Sequence, residues 1–188
     1  MTTNRPTWER LGQKTAYKGR MHIIEHEAVL PGGDHTTYEV DHSDGKAVAV
    51  LIKTPDNKVV LTHQFRFPLN RWIYDLPAGG SPPEETAEEG AIRECREEVG
   101  IRPKKLIKLG TYFPNPGRTD WSATVFFCDD YEESPLHTDD PSEVVEKVLM
   151  PVNELDALVR GGEIVDPALL IGWLMAKDLG YVTPHSQI

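Results

Sequence analysis

Cysteine is nearly absent: among 188 residues there are two, Cys95 and Cys128, and both lie in apolar stretches. That excludes a disulfide-stapled scaffold and makes a reducing compartment, the cytoplasm, the expected location. Long apolar runs are missing as well. No stretch approaches the ~20 residues that cross a bilayer, and residues 1–10 lack the apolar core of a signal peptide, so no membrane partner is expected. Positive charge is in deficit, with 20 Lys and Arg against 30 Asp and Glu, for a net charge of −10. Nucleic-acid binders neutralise phosphates with basic patches, so that class is disfavoured; solubility alone would account for the acid excess. Repeats and low-complexity segments are also lacking. The hydrophobic share of 39% and charged share of 27% describe a globular chain, one domain of ordinary size with a small accessory element.

The acids that are present are not scattered. They fall in the pattern Gly79-x5-Glu85-x7-Arg93-Glu94-x2-Glu97-Glu98-x-Gly100-Ile101. Glu94, Glu97 and Glu98 stand at i, i+3 and i+4, which on an α-helix places three carboxylates on one side. Like charges held so close repel unless something positive compensates, and a hard divalent cation with oxygen ligands is one such partner. A solvated acidic face is the plainer alternative for three acids alone. Ala91, Ile92, Cys95 and Val99 form an apolar stripe beside the acids, so the helix sits with them at the rim of a core. Thr86-x-x-Glu89 reads as a capping box and Gly100 as a C′ glycine, giving a helix from about Ala87 to Val99 with Glu85 in the loop before it.

Elsewhere strands dominate. His22–Leu30 and Thr36–Val40 are strand-like, with Pro31-Gly32-Gly33-Asp34 turning between them. Lys46–Lys53, Lys58–Phe65, Ile73–Leu76, Leu106–Tyr112, Thr124–Asp129 and Val144–Met150 follow as strands. Asn153 is a candidate cap for a short helix through Val159. Asp166-Pro167 opens a last helix, Ala168–Leu179, with an acidic N-cap and proline at N1. The fold class is therefore α+β, a sandwich in which helices flank a mixed sheet, carrying an N-terminal β-hairpin. Residues 1–43 would form the extension and 44–188 the main domain. Two strands cannot stand alone, so the extension must pack on something; its two unpaired strands favour a homodimer that covers exposed edges.

The segment Gly79–Ile101 resembles the Nudix box, the loop–helix–loop of hydrolases that act on nucleoside diphosphates linked to another group. Every fixed polar and glycine position is present, and Cys95 fills one aliphatic position. Beyond the box, Gln64-Phe65-Arg66, Asp75-Leu76-Pro77-Ala78-Gly79 and Pro114-Asn115-Pro116-Gly117 are similar to the ADP-ribose pyrophosphatase branch. Pro116 takes the place of a proline found about sixteen residues past the box glycine in that branch. The likeness covers roughly residues 15–180 and implies the same sandwich fold.

What the resemblance implies is a metal-dependent pyrophosphatase. Glu94 and Glu98 would ligate Mg²⁺ (Mn²⁺ being an alternative), with Glu97 on a second ion or in orientation and the Ala78 carbonyl a further ligand. Arg93 would hold the acids in place. Arg66 would contact the pyrophosphate, its alternative being an ordinary strand arginine; Arg118 is a second candidate cation for the phosphates. Water would attack one phosphorus and break the P–O–P link, giving AMP and ribose 5-phosphate from ADP-ribose. The general base in this branch comes from a downstream loop, which points to Glu143, with Glu146 as a metal or substrate contact; a solvated acidic loop is the other reading. Base recognition departs from the branch. Asp75 replaces a common glutamate, Met21 stands where some relatives have an aromatic, and Tyr38 could stack on a base or simply pack across strands. The partner is thus a nucleoside diphosphate sugar. Alternatives are GDP-mannose or another nucleotide sugar and, in a different class, a silent nucleotide-binding module, which the retained Glu94, Glu97 and Glu98 disfavour.

Overall fold

The computed structural model describes residues 5–19, 21–42, 46–136 and 145–184. Glu143, the candidate base, lies outside them. The chain divides into two compact units, one of Met1–Asp44 with Phe113–Trp121 and the other of Gly45–Tyr112 with Ser122–Ile188.

The larger unit is built on strands that alternate between two cores. In β4 (Lys46–Lys53), Val48, Val50 and Ile52 enter one cluster with Ala91, Cys95 and Val99 of α1 (Ala87–Val99). Ala49 and Leu51 enter another with Leu155 of α2 (Val152–Arg160) and Leu169 and Trp173 of α3 (Pro167–Asp178). A strand buried on both faces has no polar side to spare, which is why it reads as an unbroken apolar run. β10 (Ser122–Cys128) repeats the division, with Phe126 and Cys128 on the α1 side and Val125 and Phe127 on the other.

The sheet runs β12 (Val145–Pro151), β5 (Lys58–Arg66), β4, β10, β9 (Ile107–Tyr112); β4 and β10 are parallel and the other pairs antiparallel. β4 and β5 pair only at Ile52↔Val60 and Lys53↔Val59. Beyond those pairs they part, and β5 takes β6 (Arg71–Asp75) while β4 takes β7 (Ala78–Ser81). Leu76-Pro77 crosses the split, and the Pro77 carbonyl accepts from the Val50 N–H at 3.0 Å. This divergence places the Ala78–Ser81 backbone against α1. β8 (Ile101–Pro103) and β11 (Tyr131–Glu133) form a separate small pair.

Local signals account for the ends of α1. The Thr86 hydroxyl accepts from the Glu89 N–H while the Glu89 carboxylate accepts from the Thr86 N–H, and Gly100 closes the helix at φ 62°. Asp166 caps α3 through the Leu169 N–H as expected. α2 corrects its expected start: Pro151 precedes the first helical residue, Val152, and no side chain caps it, so Asn153 lies inside the first turn.

The smaller unit corrects the expected hairpin. Its sheet has three strands, β1 (Glu9–Lys18), β2 (His22–Val29) and β3 (His35–Asp41), with β2 in the centre and paired to both neighbours. β2 and β3 are therefore not unpaired. Thr119 joins the same unit, its hydroxyl donating to the Asp41 carbonyl at 2.8 Å.

Candidate active site

Helical spacing sets the site in the larger unit. Glu94 and Glu98, one turn apart, are 9% and 8% exposed, and their positions beside buried Cys95 and Ala91 hold them at the edge of the core. The Glu98 carboxylate accepts the Ala78 N–H at 2.8 Å, tying α1 to β7. Gly79 leaves room for the Glu94 carboxylate: a Cβ at that position would overlap it, so that side chain would have to move. The backbone of residues 78–79 and the two acids thus occupy one small volume.

Arg93 knits the remaining acids. Its Nε donates to Glu85 at 3.0 Å and its Nη2 to the same carboxylate at 3.1 Å. Nη1 donates to Glu94 at 2.7 Å and to Glu97 at 3.0 Å, and Nη2 to the Gly80 carbonyl at 2.7 Å. Glu85 first, and Glu94 after it, push the guanidinium above its ordinary range against the opposing effect of partial burial. The fork of a guanidinium makes this possible; a lysine could not hold three carboxylates in fixed directions.

Among the described residues, no three His, Cys, Asp or Glu side chains are grouped as a ready-made cation site. The contacts explain this, because Arg93 draws in Glu85, Glu94 and Glu97 while Ala78 engages Glu98. The donor chemistry still fits a hard divalent cation. Three carboxylates face one guanidinium and a fourth, Glu98, lies one turn from Glu94; every candidate donor is oxygen, and the site lies at a partly open rim with Glu97 and Glu85 side chains 33% and 25% exposed.

Arg66 closes β5 and pairs with Asp75 at the end of β6. Asp75 is 2% exposed and fully engaged: Oδ1 accepts the Leu76 N–H at 2.8 Å, and Oδ2 accepts Gln64 Nε2 at 3.3 Å and the Arg66 guanidinium. Only Leu76 and Pro77 separate Asp75 from Ala78, so three peptide steps keep their Cα atoms within about 11 Å of each other. The half-exposed Arg66 head is thereby held near the acid-bearing turn.

Glu146 stands apart from this group by its contacts. It lies on β12 opposite His63, whose Nδ1 is 3.5 Å from its carboxylate, and it is well exposed. His63 stacks in turn on Tyr74 at 4.8 Å and tilts against Trp72 at 5.0 Å.

In the smaller unit Tyr38, Pro116 and Arg118 come together as lining of one cavity of about 470 Å³. The Tyr38 hydroxyl donates to the Gly117 carbonyl, and Trp8 meets the Tyr38 ring edge-on at 5.7 Å. The sequence reading missed Trp8, Arg10, His26 and Asp120, which line the same space. Trp8-x-Arg10, an aromatic just before β1 and a cation near its start, was the available signal. Met21, by contrast, is not among the lining residues.

Comparison with known proteins bears on the family and the fold. The NUDIX domain pattern matches residues 44–169. The ADP-ribose pyrophosphatase of Bacillus subtilis (strain 168) is 35% identical over 155 residues, 79% of this chain and 82% of its own length. A CMP-5'-(N-acetyl-N-hydroxy-3-aminopropyl)phosphonate hydrolase of Streptomyces rubellomurinus is 27% identical over 176 residues, covering 92% and 84%. The crystal structure of an ADP compounds hydrolase matches with a TM-score of 0.78 at 21% identity, over 97% of this chain and 100% of that one, a likeness of fold. The matched span contains the whole glutamate helix with its capping box, its glycine turn and the arginine that binds its acids, and on that ground the chain belongs to the Nudix family and is a Nudix hydrolase.

Proposed function

We propose that the protein hydrolyses the diphosphate link of ADP-ribose or a closely related nucleoside diphosphate sugar, releasing a nucleoside monophosphate and a sugar phosphate. The observation that carries this reading is the oxygen-rich face of α1, with Glu94 and Glu98 against the 78–79 backbone. The Bacillus subtilis relative, named for ADP-ribose, supplies the substrate class. Glu94, Glu98, Glu97 and the Ala78 carbonyl would hold Mg²⁺, which when bound polarises phosphoryl oxygens and lowers the pKa of water. Arg93 keeps the acids in register and supplies a fixed positive charge between them. Arg66, steered by Asp75, binds a phosphoryl oxygen and offsets charge that grows on the leaving phosphate. Glu143 is the proposed base. Glu146 is proposed as an outer substrate contact rather than a metal ligand, since its neighbour is His63.

Tyr38, Pro116 and Arg118 are proposed as base-binding residues, on the chemistry of their cavity taken by itself: two aromatic rings, a proline and an arginine suit a flat heterocycle. A second reading, a different base, is favoured by the cytidylate compound in the name of the Streptomyces relative. The enzyme is further proposed to be cytoplasmic, with both cysteines buried and unpaired, and homodimeric through the exposed β1.

The deciding experiment follows products from ADP-ribose, CDP- and GDP-sugars and dNTPs, with Mg²⁺ and with EDTA. Selective Mg²⁺-dependent conversion of ADP-ribose to AMP is expected. Preference for a CDP- or GDP-sugar would keep the chemistry and replace the base, and no cleavage of any would overturn the reading.

A further inference from the structure

The cavity of the smaller unit sets one acid among its cations. Among the described residues that line it, Asp120 is the only carboxylate, while Arg10 and Arg118 bring N–H donors. Asp120 is held from behind by His42, which follows the end of β3. Its Oδ2 lies 2.8 Å from His42 Nδ1, and because a carboxylate only accepts, the imidazole N–H donates. The chain leading into Asp120 is pinned to β3. The Arg118 carbonyl accepts the Asp41 N–H at 2.8 Å, and the Thr119 hydroxyl donates to the Asp41 carbonyl at 2.8 Å. Just past Asp120, the Trp121 N–H donates to that same hydroxyl at 3.2 Å. An acceptor with a fixed direction thus stands in the wall of the cavity.

We propose that Asp120 is a specificity-determining residue and His42 its positioning residue: the oxygen that His42 leaves open accepts the exocyclic amino group of the base. The cavity then selects adenine or cytosine over their keto counterparts, hypoxanthine and uracil. The inference rests on the base-binding reading of this cavity and deepens it.

Bases differ in the groups their edges offer. Adenine and cytosine each carry an amino donor beside a ring nitrogen that accepts. A carboxylate with an arginine in the same wall is the complement of that pair. In hypoxanthine and uracil a carbonyl oxygen replaces the amino group, and the neighbouring ring nitrogen carries a hydrogen. Turning the base to present that N–H to Asp120 brings the carbonyl oxygen alongside the carboxylate. Two acceptors then face each other unpaired, the costly case for a site built to take a donor. Guanine grips a free carboxylate through N1–H and N2–H together, and here that grip competes with His42 for Oδ2. The two relatives named for an adenosine and a cytidylate compound have bases of different ring size that share the amino edge. One acceptor accounts for both, which stacking on Trp8 and Tyr38 does not, since every base has a face to stack.

The test compares binding of AMP with IMP, and of CMP with UMP, by calorimetry on the full chain in EDTA, so that no cleavage is needed. The members of each pair differ only in the amino-to-keto exchange and its ring hydrogen. Wild type should hold the amino member roughly tenfold to a hundredfold more tightly. Asp120→Asn turns an amide N–H toward the base while its carbonyl keeps the His42 bond, so IMP and UMP should become the favoured members. His42→Phe keeps a ring without a donor and should narrow the wild-type preference. His42→Asn, whose amide N–H falls near the place of Nδ1, should restore it. Both side chains reach solvent, so thermal melting of the variants should stay near wild type. Equal binding within each pair, no binding of any of the four, or ratios unmoved by Asp120→Asn would overturn the role of Asp120. A His42→Asn protein no more selective than His42→Phe would overturn the role of His42. Cleavage of ADP-ribose with Mg²⁺ is scored separately. If it fails while AMP still outbinds IMP, the hydrolysis reading falls and selection by Asp120 stands.

Discussion

A single guanidinium organises the acids of this site. Arg93 reaches Glu85, Glu94, Glu97 and the Gly80 carbonyl, so its removal leaves like charges facing each other on one helix. Arg93→Ala is expected to destabilise the fold by about 1–3 kcal/mol, as loss of charge-assisted hydrogen bonds at a partly exposed site does, read by urea titration. Glu98→Gln removes one charge but keeps the shape, and it should lower turnover at least about a hundredfold while thermal melting stays near wild type; near-normal turnover would remove Glu98 from the metal site. Gly79→Ala tests the closeness of backbone and acid. Its Cβ would displace the Glu94 carboxylate, so metal-dependent activity should fall with the fold retained, as seen by circular dichroism. Spacing alone made Glu94, Glu97 and Glu98 legible as one face, because helix geometry is local. The reach of Arg93 to Glu85 was legible only as adjacency to acids, and the pairing of Arg66 with Asp75 not at all, since two separate strands, β5 and β6, bring them together.

The helix ends were written in the sequence, whereas the strands without side-chain pattern were not. Thr86, Glu89 and Gly100 act within a turn of their own backbone, and all three behave as their residue types require. β1 went unseen because Glu-Arg-Leu-Gly-Gln-Lys-Thr-Ala-Tyr-Lys does not alternate, every position is exposed, and the register slips at Arg10/Gly12 and Thr15/Tyr17. β7, Ala-Gly-Gly-Ser, has no alternating side chains by which to read it; it pairs with β4 through backbone groups, and Gly79 leaves room for the Glu94 carboxylate. α3 carries a pH prediction at this scale. Asp166 has a folded pKa raised to about 7, so between its unfolded value and about 7 the folded state binds more protons than the unfolded one. Stability from this group is thus highest in acid and is lost as pH rises through that window. Asp166→Asn, which keeps the cap, should raise Tm more at pH 8 than at pH 5, a difference that calorimetry at both pH values would detect; equal shifts would show that the carboxyl is already ionised at the lower pH.

Charge and exposed apolar surface pull in opposite directions across the whole molecule. The formal charge of −10 means that two copies repel. Yet β1 is exposed at all ten positions, and Trp8, Leu11, Tyr17 and Met21, in or beside it, show about half of their surface. A second copy laid over this strand would cover those side chains, and the attraction would have to be apolar because the net charges oppose it. That balance has a measurable sign. Salt screens repulsion without weakening apolar burial, so the dimer expected in sedimentation equilibrium should tighten as ionic strength rises. Ion pairs between copies would instead weaken with salt. Tyr17→Glu adds charge and removes apolar area on the same strand, so it should shift the protein toward monomer while leaving the α1 capping box and the acids of the larger unit in place. Wild type that sediments as a monomer at all salt concentrations would refute association through β1.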